Sequence, residues 1–162
     1  MKTLLIVTHS RTNGTTQMAQ AAASAAAEHD ITVRHLRAES TSPDDLLAAD
    51  AYIFAAPENL AALSGPMKDF FDRCYYPALG RLNGRPYAIL ICAGTDGTNA
   101  ARQIARIATG WRLREIAPAL IIKTGAQTAE AILAPKFLSP PDLAACAELG
   151  ATVAAGLALG VF

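Results

Sequence analysis

Short apolar, β-prone runs alternate with helix-forming stretches along the chain, and this alternation limits the available architectures more than any other feature. Thr3-Leu4-Leu5-Ile6-Val7-Thr8 carries no charge, proline or glycine, the pattern of a strand covered on both faces in a parallel sheet. Alanine dominates from about Thr16 to Glu28, and so strong a helix former with so small a side chain predicts a helix lying close to the sheet. A short edge-type strand follows over Ile31 to Leu36, and Ser42-Pro43-Asp44-Asp45 opens a short helix with a serine cap, a proline and acids in its first turn. Ala51 to Ala56, Tyr87 to Ala93 and a segment within Ile116 to Lys123 read as further strands. Ser64-Gly65-Pro66 starts a helix whose Met67, Phe70, Phe71, Cys74 and Tyr75 recur at helical spacing and predict a buried face. Thr98 to Thr109 and Pro141 to about Leu159 complete the helices. Strand and helix in strict turn require parallel strands joined by right-handed crossovers, with helices on both faces of an open sheet.

Ligands of such sheets sit beyond the carboxyl ends of the strands. Those ends fall at His9 to Thr15, Pro57 to Ser64 and Gly94 to Gly97. With 162 residues, 52% of them hydrophobic, the expectation is a single domain over residues 1–162 enclosing a two-sided core. Fourteen basic side chains balance fourteen acidic ones, so no basic footprint for nucleic acid is present. Cys74, Cys92 and Cys146 are odd in number and far apart, which argues against a disulfide framework or a metal site and for a reducing, cytoplasmic setting. The opening run is too short for a signal peptide, and the apolar tail from Leu149 to Phe162 is too short to cross a bilayer. Gly150, Ala151, Ala154, Ala155 and Gly156 permit close approach on that tail and predict a subunit contact, hence a homodimer or homotetramer.

The turn Ser10-Arg11-Thr12-Asn13-Gly14-Thr15-Thr16 joins the first strand to the alanine helix through hydroxyls, an amide and one glycine. Free N–H groups at a helix start, its positive dipole end and those hydroxyls can surround a phosphate dianion. The same residues would also cap a helix with no ligand present. No GxGxxG follows the strand, so a mononucleotide suits the turn better than a dinucleotide, and no Walker A lysine is present for ATP or GTP.

The chain resembles the flavodoxin-like superfamily, and within it the NAD(P)H-dependent FMN reductase and quinone reductase branch. The likeness is carried by His9 to Thr16, by Pro57-Glu58-Asn59 followed by Ser64-Gly65-Pro66-Met67-Lys68-Asp69-Phe70-Phe71-Asp72-Arg73, and by Ala93-Gly94-Thr95-Asp96-Gly97. It implies a three-layer α/β sandwich around a five-stranded parallel sheet in the order 2-1-3-4-5. It also implies FMN as cofactor, with Ser10, Arg11, Thr12, Asn13, Gly14, Thr15 and Thr16 on its phosphate. Pro57, Glu58, Asn59, Leu60, Gly94, Thr95, Asp96 and Gly97 would border the isoalloxazine. The chain departs from many relatives in the loop after the third strand, where Glu58-Asn59-Leu60-Ala61-Ala62-Leu63 offers no aromatic ring. Leu60 and Leu63, or an aromatic of another subunit, would then pack on the flavin, or FMN would bind weakly and act as a passing substrate.

Other signals have plainer readings. Glu58 is an exposed loop acid or an acceptor for flavin, and His9 lies near the phosphate or satisfies a backbone carbonyl. His29 and His35 read as surface residues, Asp69, Asp72 and Arg73 as a solvated helix face or intrahelical pairs, and Trp111 between Arg112 and Arg114 as a partly buried anchor. A phosphatase-type reading of Cys92 fails because Thr98 stands where an arginine is needed, and no aspartate ends the third strand as a phosphoacceptor would. The reading that follows is hydride transfer from NADH or NADPH through flavin to a quinone or similar small acceptor, with no catalytic side chain assigned. A permanent electron carrier and a flavodoxin-like binding module without flavin are the alternatives.

Overall fold

A computed structural model describes residues 1–162. In chain order the elements are β1 (Thr3–Thr8), α1 (Gly14–Ala26), β2 (Thr32–Arg37), α2 (Pro43–Ala48), β3 (Ala51–Asn59), β4 (Ala62–Leu63) and α3 (Gly65–Ala78). Then come β5 (Pro86–Ala93), α4 (Thr98–Gly110), β6 (Arg114–Glu115), β7 (Leu120–Lys123), α5 (Ala129–Leu133) and α6 (Pro140–Leu159). The parallel ladder runs β2-β1-β3-β5, and β6 and β7 both pair with β5 at the fifth position. This is the expected flavodoxin-like order.

The fifth strand is broken rather than continuous over Ile116 to Lys123. Tyr87 pairs with Glu115 and Leu90 with Leu120, so two residues of β5 face four of the partner. Pro118 lies in the excursion and has no N–H for the ladder. The third strand runs on past Pro57 to Asn59 and turns back into β4, where the sequence predicts an open loop.

Alternate residues of the central strands feed separate cores. Leu5, Val7, Tyr52, Phe54, Ile89 and Ile91 face α2, α3 and α4, while Leu4, Ile6, Ile53 and Leu90 face α1 and α6. Phe54 lies at the centre of the first core, its ring within 5.1 to 6.4 Å of those of Tyr52, Phe70, Phe71 and Tyr87. Trp111 is fully inside it, edge-on to Phe70 and Phe71, and is more deeply buried than the sequence suggests. Tyr75 departs from the predicted buried face at 43% exposure, its ring against that of Tyr76 at the end of α3.

The second core explains the small residues of α6 differently from the sequence reading. A Cβ on Gly150 would overlap the carbonyl of Ala22, so this glycine lets α6 close on α1 within one chain. A Cβ on Gly156 would overlap the ring of Phe162, which folds back beneath Arg114 at 5.9 Å. Close approach at Gly150 and Gly156 is thus used inside the chain, while Ala151 and Ala155 of the same stripe are half-buried. At 20 residues and a mean hydropathy of 1.4, α6 is long and apolar enough to cross a membrane by length and composition, yet its inner face packs on α1 and the sheet. Taken from Pro140, the helix also exceeds the short tail from which the sequence excluded a span.

Candidate functional site

The first loop after β1 leaves a helix start unfilled. Asn13, the residue preceding α1, is in the left-handed region at φ 71° and its side chain makes no capping bond. No acid occupies the first turn, so the N–H groups of Gly14, Thr15 and Thr16 stay free of side-chain acceptors. Thr15 is 1% exposed, and its Oγ1 is a buried side-chain oxygen without a hydrogen-bond partner. A buried hydroxyl left unpaired costs about 1–3 kcal/mol and requires a reason. Gly14 is buried beneath the loop, where a Cβ would come to 2.5 Å from Cys92 Sγ. Ser10 and Thr12 are half-buried, while Arg11, Asn13 and Thr16 are exposed.

The loops after β3 and β5 are joined to each other. Glu58 places Oε1 2.8 Å from the N–H of Gly97 and Oε2 3.1 Å from that of Ala100. Gly97, at φ 89°, precedes α4 and offers no side-chain cap, so Glu58 supplies the cap from the neighbouring strand. Its carboxylate is engaged with α4 rather than standing free. Asn99 donates to the carbonyl of Ala61 and the N–H of Leu63 donates to Gln103. These bonds hold the Leu60-Ala61 hairpin tip, where both residues have positive φ and Leu60 is wholly exposed. Pro57 is half-buried, and Asn59, Thr95 and Asp96 are exposed at the same edge. The hydroxyl and N–H of Thr98 hold the Asp96 carboxyl below its usual range. Gly94 lies against the carbonyl of Ala126, which a Cβ would approach to 2.8 Å.

Two connections were not read from the sequence. His9 is buried and its Nδ1 lies 2.9 Å from Oγ of buried Ser64, with Glu39 3.9 Å from Nε2. Burial lowers the His9 pKa, Glu39 partly offsets this, and Arg37 and Arg11 lower it further. The partner is thus a hydroxyl at the start of α3, not a backbone carbonyl. His35 is half-buried rather than on the surface, with Nε2 2.8 Å from Thr8 Oγ1. The second connection is a strap after α5, where the N–H of Lys136 donates to the Thr12 carbonyl at 2.7 Å. Neither has a local sequence signal, because both join residues more than fifty positions apart. On α3, Arg73 pairs with Asp69 as expected but also donates to the carbonyls of Ala38 and Thr41.

The three candidate loops gather at one edge, beyond the carboxyl ends of adjacent strands β1, β3 and β5. An uncapped helix start, an orphaned buried hydroxyl and a glycine pressed against Cys92 form a donor set without an acceptor, which fits a phosphate. The strand order, the flanking helices and the three loops at one edge define the architecture as flavodoxin-like.

A family model described as NADPH-dependent FMN reductase matches residues 41–127. This is more than half of the chain, which therefore belongs to the NADPH-dependent FMN reductase family, with FMN as flavin and NADPH as electron donor. The matched span holds the hairpin, α3, β5 and the Gly94 to Gly97 turn, and leaves the first loop outside. No curated protein matches the chain. Among solved structures it is similar to a flavodoxin from the domain Archaea, at 19% identity and TM-score 0.76 over 97% of this chain and 99% of that one. A flavodoxin, WrbA-like protein from Agrobacterium tumefaciens aligns at 22% identity and TM-score 0.75 over 96% of each chain. The rubredoxin oxygen:oxidoreductase of Desulfovibrio gigas aligns at 14% identity and TM-score 0.79 over 99% of this chain and 37% of that one. At such identities these likenesses establish the fold.

Proposed function

We propose that the protein transfers hydride equivalents from NADPH through FMN to a small acceptor such as a quinone, with the FMN phosphate held at the start of α1. The observation that carries this reading is the unpaired, buried Thr15 hydroxyl beside the free N–H groups of the first turn. FMN held there would supply the redox chemistry between the nicotinamide and the acceptor.

The side chains and backbone of this chain bind and orient. Thr15, Ser10 and Thr12 offer hydroxyls to the phosphate, the N–H groups of Gly14 to Thr16 add the positive end of α1, and Arg11 brings charge from the exposed side. Pro57 to Leu60 and Gly94 to Gly97 border the ring with backbone donors and acceptors. Glu58 fixes the distance between these two turns. With no aromatic side chain at the hairpin, Leu60 presents the apolar surface on that rim. Three free, buried thiols suit a reducing compartment such as the cytoplasm. Assembly into a homodimer or homotetramer would use exposed apolar surface, such as Tyr76 and Leu79 at the end of α3 and Leu159 at the end of α6.

Thr15→Val tests the reading, because valine keeps the shape and removes the hydroxyl. The free protein should melt at the same temperature or slightly higher, since an orphaned polar group is lost. FMN affinity should fall about tenfold to a hundredfold, the worth of one hydrogen bond to a charged group. Unchanged FMN affinity in the variant would remove the phosphate assignment. A wild-type flavin spectrum that NADPH fails to bleach without oxygen would overturn the reductase and favour an electron carrier.

A further inference from the structure

Gln17, in the second turn of α1, ties the Lys136 to Leu138 strap to the first loop in both directions. Its Nε2 donates to the carbonyls of Lys136 at 2.7 Å and Asn13 at 3.0 Å, and its Oε1 accepts the N–H of Leu138 at 3.2 Å. The N–H of Lys136 donates to the Thr12 carbonyl at 2.7 Å, which closes the connection around Thr12 and Asn13. The strap is itself fixed. Lys136 turns its ammonium back onto the carbonyls of Ala131, Ile132 and Ala134, and the preceding segment bonds through the N–H groups of Thr124 and Gly125 to the carbonyls of Ala93, at the end of β5, and Gly94, just beyond it.

Asn13 stands at φ 71°, a conformation asparagine tolerates better than most side chains, but its own side chain contributes no cap, so the turn is held from outside by the strap and Gln17. The clamp takes up the carbonyls of Thr12 and Asn13 and leaves the N–H groups of the helix start free. Both amide hydrogens of Gln17 are committed, so this side chain acts through the loop and not by touching a ligand.

Resting on the phosphate-loop reading above, we infer that Gln17 is a positioning residue for the FMN phosphate. Through the strap it holds Thr12-Asn13-Gly14 in the one conformation that presents N–H donors to a dianion, and so it sets the preference for FMN over riboflavin. An ordinary tertiary tie would affect stability, or both flavins, alike. A positioning role affects only the flavin that carries a phosphate.

The experiment measures dissociation constants for FMN and for riboflavin by quenching of flavin fluorescence, with thermal melts alongside, in wild type, Gln17→Leu and Gln17→Glu. Leucine keeps helix propensity and length but makes none of the three bonds, whereas glutamate keeps the acceptor for Leu138 and loses both donors. FMN binding should weaken about tenfold in Gln17→Leu and in the same direction in Gln17→Glu, with riboflavin changed less than about twofold. An unchanged ratio of the two constants, or an equal loss for both flavins, would overturn the inference while leaving the phosphate loop intact. A wild type that binds riboflavin as well as FMN would overturn the phosphate reading and the inference with it.

Discussion

Glu58 at the end of β3 accepts the N–H of Gly97, at the start of α4, at 2.8 Å, and in this one contact two loops of the site become a single rigid rim. The same carboxylate takes the N–H of Ala100 at 3.1 Å. Glu58→Ala strands both donors next to a helix start with no cap of its own. The expected loss is about 1–2 kcal/mol, or about 3–6 °C in melting temperature for a chain of this size. Glu58→Gln, which keeps one acceptor oxygen, should fall between alanine and wild type. Equal melting of all three proteins would show that the cap contributes nothing.

The hairpin tip stores strain. Leu60 and Ala61 connect β3 to β4 with φ values of 50° and 59°, a two-residue turn that favours Asn-Gly. Replacing Leu60-Ala61 by Asn-Gly should stabilise the free protein by about 1–2 kcal/mol, because side chains in this region carry a penalty of that order. It also removes the apolar surface proposed to border the flavin, so FMN should bind more weakly. A higher melting temperature with unchanged FMN affinity would show that Leu60 does not pack on the ring.

The parallel order, both cores and the first loop are legible in the sequence because each depends on short-range pattern. The run from Leu4 to Val7 and the alanines of α1 identify themselves, and the residues from Ser10 to Thr16 stand together with hydroxyls in excess of capping. What escapes depends on distance along the chain. The hairpin at Leu60 lacks the usual turn residues and is held by Asn99 and Gln103 from α4. Gln17 reads as one more polar residue on a helix until residues 136 to 138 fold back onto it. Gly150 announces a close approach but not its partner, and Ala22 of the same chain takes the place expected of a second subunit.

Acid should act on His9 and His35 before it reaches the carboxylates. Burial lowers the pKa of His35, and of His9 despite partial opposition from Glu39. A histidine whose folded pKa is depressed takes its proton more readily in the unfolded chain. The stability gained by keeping it neutral is complete above the unfolded value near pH 6.5 and is lost as pH falls toward the folded value. Asp45, lowered by the Ser42 hydroxyl and, against some burial, by the Ser42 N–H and Arg34, has its stabilisation above its unfolded value and loses it in stronger acid. Urea unfolding should therefore show stability declining from about pH 6.5 downward. His9→Asn should flatten that upper part of the profile and leave the more acidic part in place. An identical upper slope in the variant would show that His9 does not titrate with folding.

Gly14 and Cys92 should behave as a coupled pair. A methyl group at residue 14 meets the Cys92 sulfur at 2.5 Å, and the buried end of β5 gives that sulfur little room to retreat. Gly14→Ala alone should cost about 1–3 kcal/mol through overpacking and weaken FMN binding by displacing the first loop. Cys92→Ala removes the obstructing atom and should by itself cost a cavity of one sulfur. Combined, the added methyl fills space the sulfur has left, so the double variant should be more stable than the two separate losses would add up to. The coupling should be about 1 kcal/mol or more, as expected of residues in direct contact. FMN affinity should return toward wild type in the double variant, because the first loop recovers its place. Additive losses in both stability and affinity would mean that the Cys92 contact does not set the height of the loop.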